Sequence, residues 1–185
     1  QILAVTFTNK AANEMKSRVE GLLLSHEARD KGHGDSRLET RDFRGRPLLG
    51  TFHSICVRIL RRDIEALDQG YNSNFVIFDS DDSERLVKLV FQELEINDKE
   101  FKPKAVRNAI SGLKNQLVRA DEAANILGEN RFTKAVEAVY PRHQKKLMEH
   151  NALDFDDLLM KTVELFENFP PVLERYQKRW QHVLV

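Results

Sequence analysis

The first residues of the chain are almost continuously apolar, and Ile2 to Phe7 reads as a short strand buried on both faces of a parallel sheet. Thr8 and Asn9 are polar punctuation. From Lys10 the period turns helical, with Ala11, Met15, Val19 and Leu22 on one stripe and Lys10, Glu14, Lys16 and Arg18 on other faces. A strand that enters a helix through a short polar turn is half of a βαβ unit. The arrangement recurs after Pro47, where Leu48-Leu49-Gly50-Thr51-Phe52 predicts a second strand. Ser54 onward predicts a helix with Ile55, Ile59 and Ile64 inward and Arg58, Arg61 and Arg62 beside them. Phe75 to Phe78 is a brief extended run, followed by Asp81 and Glu84 at capping-box spacing and a core stripe of Leu86, Leu89, Val90 and Leu94. Between about residues 80 and 150 every pattern is helical, with breaks expected at Pro103, Gly112, Gly128 and Pro141. Past Asn151, Asp154 caps a further helix with Asp157 at its third position and Phe155, Leu159, Val163 and Phe166 as its buried face. Pro170-Pro171 stops it, and a helix carrying Leu173, Tyr176 and Trp180 leads to a strand over His182–Val185.

These elements predict an α/β fold in which strands from both flanks share one parallel sheet, since neither flank has enough strands for its own. The all-α middle is an excursion from that sheet. The expected division is 1–74, 75–150 and 151–185. Residues 25–46, with Gly32, Gly34 and Gly45 and almost no large apolar residue, read as a solvated loop. Both ends run straight into apolar strands, so the chain reads as an internal segment of a longer polypeptide.

Composition narrows the function classes. The 185 residues carry 29 Lys+Arg against 29 Asp+Glu, which excludes a uniformly basic nucleic-acid binder but leaves room for local segregation. Residues 101–150 hold an excess of basic residues, between acidic stretches at 76–100 and 151–169. A single cysteine, Cys56, cannot form an internal disulfide, and no apolar run approaches the length of a membrane span. A reducing cytoplasm is the expected setting.

Three stretches could carry chemistry: Ala4 to Met15, Gly50 to Arg61, and Leu153 to Leu159. In the first two, the end of a strand offers an aromatic, hydroxyls and a cation just ahead of a helix N-terminus. That edge of a parallel sheet is where ligands bind, and free helix N–H groups attract phosphates. An exposed Phe can stack on a base while Thr, Asn, Lys and His meet the backbone. Taken singly, Phe7 and Phe155 favour the core over a stacking platform, His53 divides evenly between cap and ligand contact, and the Arg58, Arg61, Arg62 group suits a solvated helix face. Asp154, Asp156 and Asp157 could suggest a metal-dependent nuclease, but capping accounts for the first and third.

The stretches TFTNKAANEM, GTFHSICVRILRRD and LDFDDLL, in that order and with a helical span between the second and third, resemble motifs of the UvrD/Rep/PcrA family of superfamily 1 DNA helicases. The PcrA/UvrD branch is the nearest likeness. The resemblance implies a partial RecA-like (P-loop NTPase) parallel sheet, domain 1A, over 1–74 and 151–185, with an inserted all-α domain 1B over 75–150. It implies that Phe7 stacks on a DNA base with Thr8, Asn9 and Lys10 near the backbone, that Thr51, Phe52 and His53 form a second patch supported by Arg58, and that Phe155 lies at the DNA channel. Lys114 and Asn115 become candidates for duplex or strand contacts. The implied partners are single-stranded DNA, the junction of single- and double-stranded DNA, the remaining helicase domains and repair or replication proteins, in a cytoplasmic, nucleoid-associated setting.

The family's phosphate-binding GxxxxGK[ST] loop and its DExQD carboxylates do not occur in these residues. ATP and Mg²⁺ are therefore expected to belong to the parent protein, a 3′ to 5′ helicase, with no ATPase activity from this segment itself. The 25–46 loop exceeds the usual family link and is given no role. A protein-interaction module, or part of a helicase-nuclease subunit, are the alternatives.

Overall fold

The computed structural model describes residues 1–30 and 47–185, with side chains described for 1–23 and 47–185. The chain forms β1 (Ile2–Thr6), α1 (Asn9–Asp30), β2 (Leu48–Thr51), α2 (Phe52–Asp63), a short 3-10 helix at Ile64–Leu67, and β3 (Val76–Phe78). These are followed by α3 (Ser80–Glu93), α4 (Pro103–Asn115), α5 (Ala123–Ile126), α6 (Arg131–Glu149), β4 (Ala152–Asp154), α7 (Phe155–Asn168), α8 (Pro170–Arg179) and β5 (His182–Leu184). They fall into two compact units, one of residues 1–55 and 171–185, the other of residues 56–170.

In the first unit a parallel sheet has the order β2-β1-β5. Its central strand pairs Leu3 with Leu48 and Thr6 with Thr51 on one side, and Ile2 with His182 and Ala4 with Leu184 on the other. Strands from the two ends of the chain thus share one sheet, as the pattern requires. Leu3, Ala4 and Val5 are buried, in keeping with a strand covered on both faces.

A large apolar cluster joins three helices of the second unit. Val87, Val90 and Phe91 of α3 meet Val106, Ile110 and Leu113 of α4 and Val136, Val139 and Tyr140 of α6. Two short strands, β3 and β4, pair in parallel with Val76 opposite Ala152 and Phe78 opposite Asp154. Neither joins the β1 sheet.

Several expectations are corrected. Residues 25–30 continue α1, because Ser25 to Asp30 contain no glycine or proline to break a helix; the remainder of the expected loop, 31–46, lies outside the described residues. Gly112 and Pro141 do not end helices. Pro141 sits within α6, where Val136, Val139, Tyr140, His143 and Leu147 are buried on either side of it, and packing outweighs the local cost of about 3 kcal/mol. The cap of α3 is Asp79 rather than Asp81: its carboxylate accepts the Asp81 and Asp82 N–H groups. Leu89 and Leu22 are exposed, and α7 buries Leu158, Thr162 and Leu165 in place of the expected stripe.

Candidate nucleic-acid interface

In the first unit, adjacent parallel strands deliver their carboxyl ends to the same edge. Thr6 lies opposite Thr51, so Phe7 and Phe52, the next residues, emerge side by side. Their ring centroids are 5.0 Å apart with the planes inclined at 42°. Phe7 is 80% exposed, far more than a buried strand-end aromatic would be, while Phe52 is half-buried behind it. The expectation that Phe7 belongs in the core is therefore overturned.

Each strand passes at once into a helix. Thr8 accepts the Ala11 N–H on its hydroxyl at 3.2 Å, so it opens α1. Thr51 accepts the Ser54 N–H at 3.3 Å, and the Ser54 hydroxyl donates back to the Thr51 carbonyl at 2.8 Å. Thr51 is thus buried and occupied in starting α2 rather than reaching outward. Asn9 and Lys10 are exposed in the first turn of α1, and His53 is half-buried in the first turn of α2. Neither helix has an acidic residue in its first turn, whereas α3 and α7 each have two. The positive ends of α1 and α2 are left uncompensated, an arrangement suited to phosphate.

Gly50 was not singled out by sequence, yet it fixes this edge. A Cβ there would stand 2.5 Å from the Ser54 hydroxyl and 3.3 Å from Ile55. Its only signal in the sequence is a glycine inside a strand, one residue ahead of a helix cap.

In the second unit, Arg58 is exposed on α2. Its neighbour Arg61 donates to the Ser73 carbonyl at 2.6 Å and lies over the Phe75 ring. Phe155, the first residue of α7, is 49% exposed, another departure from the expected buried stripe. Lys114 is the clearest correction to the expected contacts. Its ammonium is buried, 2.7 Å from Asp154 and 2.8 Å from Asp157, so it serves the interior and not a phosphate. Burial disfavours that ammonium, but the two carboxylates outweigh burial and hold its pKa above the ordinary lysine range. Burial and the neighbouring Asp154 push the Asp157 carboxyl upward against the pull of Lys114. Asp154 and Asp157 also close a reciprocal capping box on α7. Asn115 is exposed and donates to the Ser111 carbonyl at 2.8 Å and to Asp156 at 3.2 Å.

The three aspartates therefore have protein partners, and their geometry does not fit a Mg²⁺ site. Among the described residues no cluster of three or more His, Cys, Asp or Glu could hold a metal ion, and no helix is long and apolar enough to cross a membrane.

Comparison with known proteins bears on the same residues. The model of the UvrD/REP helicase N-terminal domain matches residues 1–185. The chain is 44% identical over 187 residues to the ATP-dependent DNA helicase UvrD1 of Mycobacterium tuberculosis, covering 100% of this chain and 22% of that protein. It is 41% identical over 184 residues to the ATP-dependent DNA helicase PcrA of Bacillus subtilis, again with 100% of this chain and 22% of the relative covered. The chain thus spans about a fifth of the length of these relatives. With its whole length matched and its three motif stretches set on strand ends and helix starts, the chain belongs to the UvrD/REP helicase N-terminal domain family.

Proposed function

We propose that this chain supplies the single-stranded DNA track of an ATP-dependent 3′ to 5′ DNA helicase. The observation that carries the reading is the exposed Phe7 ring set against Phe52 between two acid-free helix starts. A base stacks on Phe7, its phosphates lie toward the N-termini of α1 and α2, and Asn9, Lys10 and His53 contact the backbone, while Thr8 and Thr51 shape the two turns. In the second unit, Arg58 and Phe155 are further contacts.

On this reading residues 1–74 and 151–185 are parts of a RecA-like domain 1A, and residues 75–150 are an inserted domain 1B that faces duplex DNA at the junction. Support comes from the parallel β2-β1-β5 sheet and the helical cluster of α3, α4 and α6. ATP and Mg²⁺ serve the whole protein; no step of phosphoryl transfer is ascribed to the residues described. Its other helicase domains and repair or replication proteins are its partners, in the cytoplasm and on the nucleoid.

Binding of a short oligothymidylate, followed by anisotropy at several salt concentrations, tests the reading. Loss of one stacked base costs about 1–3 kcal/mol, or roughly 5- to 150-fold in affinity, so Phe7→Ala should fall in that range. Affinity should also decline with added salt as phosphate contacts are screened. Because Phe7 is exposed, the variant should unfold at the parent temperature. Unchanged affinity in both Phe7→Ala and the Phe7→Ala, His53→Ala double variant would reject the DNA track.

A further inference from the structure

We propose that Lys114 and Asn115 are positioning residues that clamp the turn presenting Phe155, acting on DNA through that ring rather than by touching it. The proposal rests on the reading of Phe155 as a DNA contact. The two residues end α4 side by side, just before the left-handed Leu117 with φ 59°. Lys114 points inward and binds Asp154, the residue before Phe155, at 2.7 Å; Asn115 stays at the surface and binds Asp156, the residue after it, at 3.2 Å. Phe155 is thus flanked on both sides by carboxylates held from one helical turn.

The inner half of the clamp is reinforced. Lys114 also binds Asp157 at 2.8 Å, and Gln144 of α6 donates to both oxygens of the Asp157 carboxylate at 3.2 and 3.3 Å. The Asp157 N–H donates to Asp154 at 2.8 Å, completing the cap of α7. One ammonium therefore fixes the start of α7, and with it the backbone from which the half-exposed ring projects. The outer half is a single bond to Asp156, shared with the Ser111 carbonyl, which is where the clamp can be loosened without disturbing the interior. A contact residue and the residues that hold it are separated by about 40 positions in sequence, close enough in space to be energetically coupled.

The test is a double-mutant cycle in the native protein that carries this chain, reading affinity for a short oligothymidylate by anisotropy, with Asn115→Ala, Phe155→Ala and the double variant. Lys114→Met strands two buried carboxylates and risks the fold, so Asn115 carries the test. The expected result is that Asn115→Ala weakens binding about three- to tenfold when Phe155 is present and leaves it unchanged in the Phe155→Ala background. Equal weakening in both backgrounds would overturn the proposal, making Asn115 a direct contact. No weakening in the Phe155 protein would overturn it as well. If Phe155→Ala alone leaves affinity intact, the DNA reading of Phe155 fails and the clamp falls with it, an outcome separate from the other two.

Discussion

Neither ring nitrogen of His143 meets a hydrogen-bond partner among the described residues, and the side chain is buried in α6. Burial, aided by the nearby Lys114 charge and opposed by Asp157, pushes its pKa down to about 3. Unfolding releases the imidazole to bind a proton near its ordinary value of about 6.5. Below that pH the unfolded chain holds more protons than the folded one, so stability declines as the pH is lowered, by up to about 1.4 kcal/mol per unit. Asp157, whose carboxyl is raised by burial, works in the opposite sense, so the His143 contribution is isolated by substituting that residue alone. His143→Leu should flatten the fall in urea midpoint between pH 7 and 5 relative to the parent. Parallel slopes for the two proteins would mean that His143 takes up its proton in the folded state. Residue-level chemistry was only partly legible beforehand. Phe7 was visible as a strand-end aromatic, but its exposure is decided by Phe52 lying behind it. Lys114 is a candidate for duplex or strand contacts by resemblance, because a sequence does not show that Asp154 and Asp157 converge on it.

Among the elements, α4 and β2 hold glycines of opposite meaning. Gly112 lies in the interior of α4, exposed, with nothing within 4 Å of the place a Cβ would take. Gly112→Ala should stabilise the protein by about 0.5–1 kcal/mol, chiefly by restricting the unfolded chain, and raise its urea midpoint. Gly50→Ala should do the reverse, since its methyl group displaces the Ser54 hydroxyl from the Thr51 carbonyl and presses on Ile55. It should also weaken oligothymidylate binding, because the start of α2 carries Phe52 and His53. A Gly50→Ala protein with parental midpoint and affinity would show that Ser54 rotates away without consequence. Element existence was largely readable, from the apolar run of β1 and the periodicity of α2, α3, α4 and α6. What escaped was set by distant partners. β4 has only three residues, one of them the cap of α7, and becomes a strand by pairing with β3 some 75 positions earlier. The stripe of α7 was misread by the same route, since the helix is turned to bury Leu158 and Leu165.

For the molecule as a whole, the zero net charge conceals a basic stretch over 101–150, and the burial pattern conceals an unequal division of cohesion. The second unit has a continuous apolar cluster spanning α3, α4, α5 and α6, with Phe101, Phe132 and others packed around it. Among the described residues, the first unit has a thinner set, with Leu3, Ala4 and Val5 in its central strand and Ala12, Ile55 and Tyr176 on flanking elements. β5 is its weakest member: Val183 and Leu184 are both more than half exposed, and the strand pairs only with β1 in the described sheet. Local opening requires breaking few buried contacts there and many in α6, so amide exchange should separate the two. In the 185-residue chain at neutral pH, amides of Val136 to Tyr140 should exchange slowest, at the rate of global unfolding. Those of His182 to Leu184 should exchange far faster, because fraying β5 leaves the helical cluster intact. Equal protection of the two segments would require β5 to be covered along its outer edge. That edge is the feature most open to pairing with another strand, from further sheet or from a second molecule. Dilution distinguishes the two, since a second molecule is lost on dilution and the β5 amides then accelerate, while strands of the same polypeptide keep them slow at any concentration.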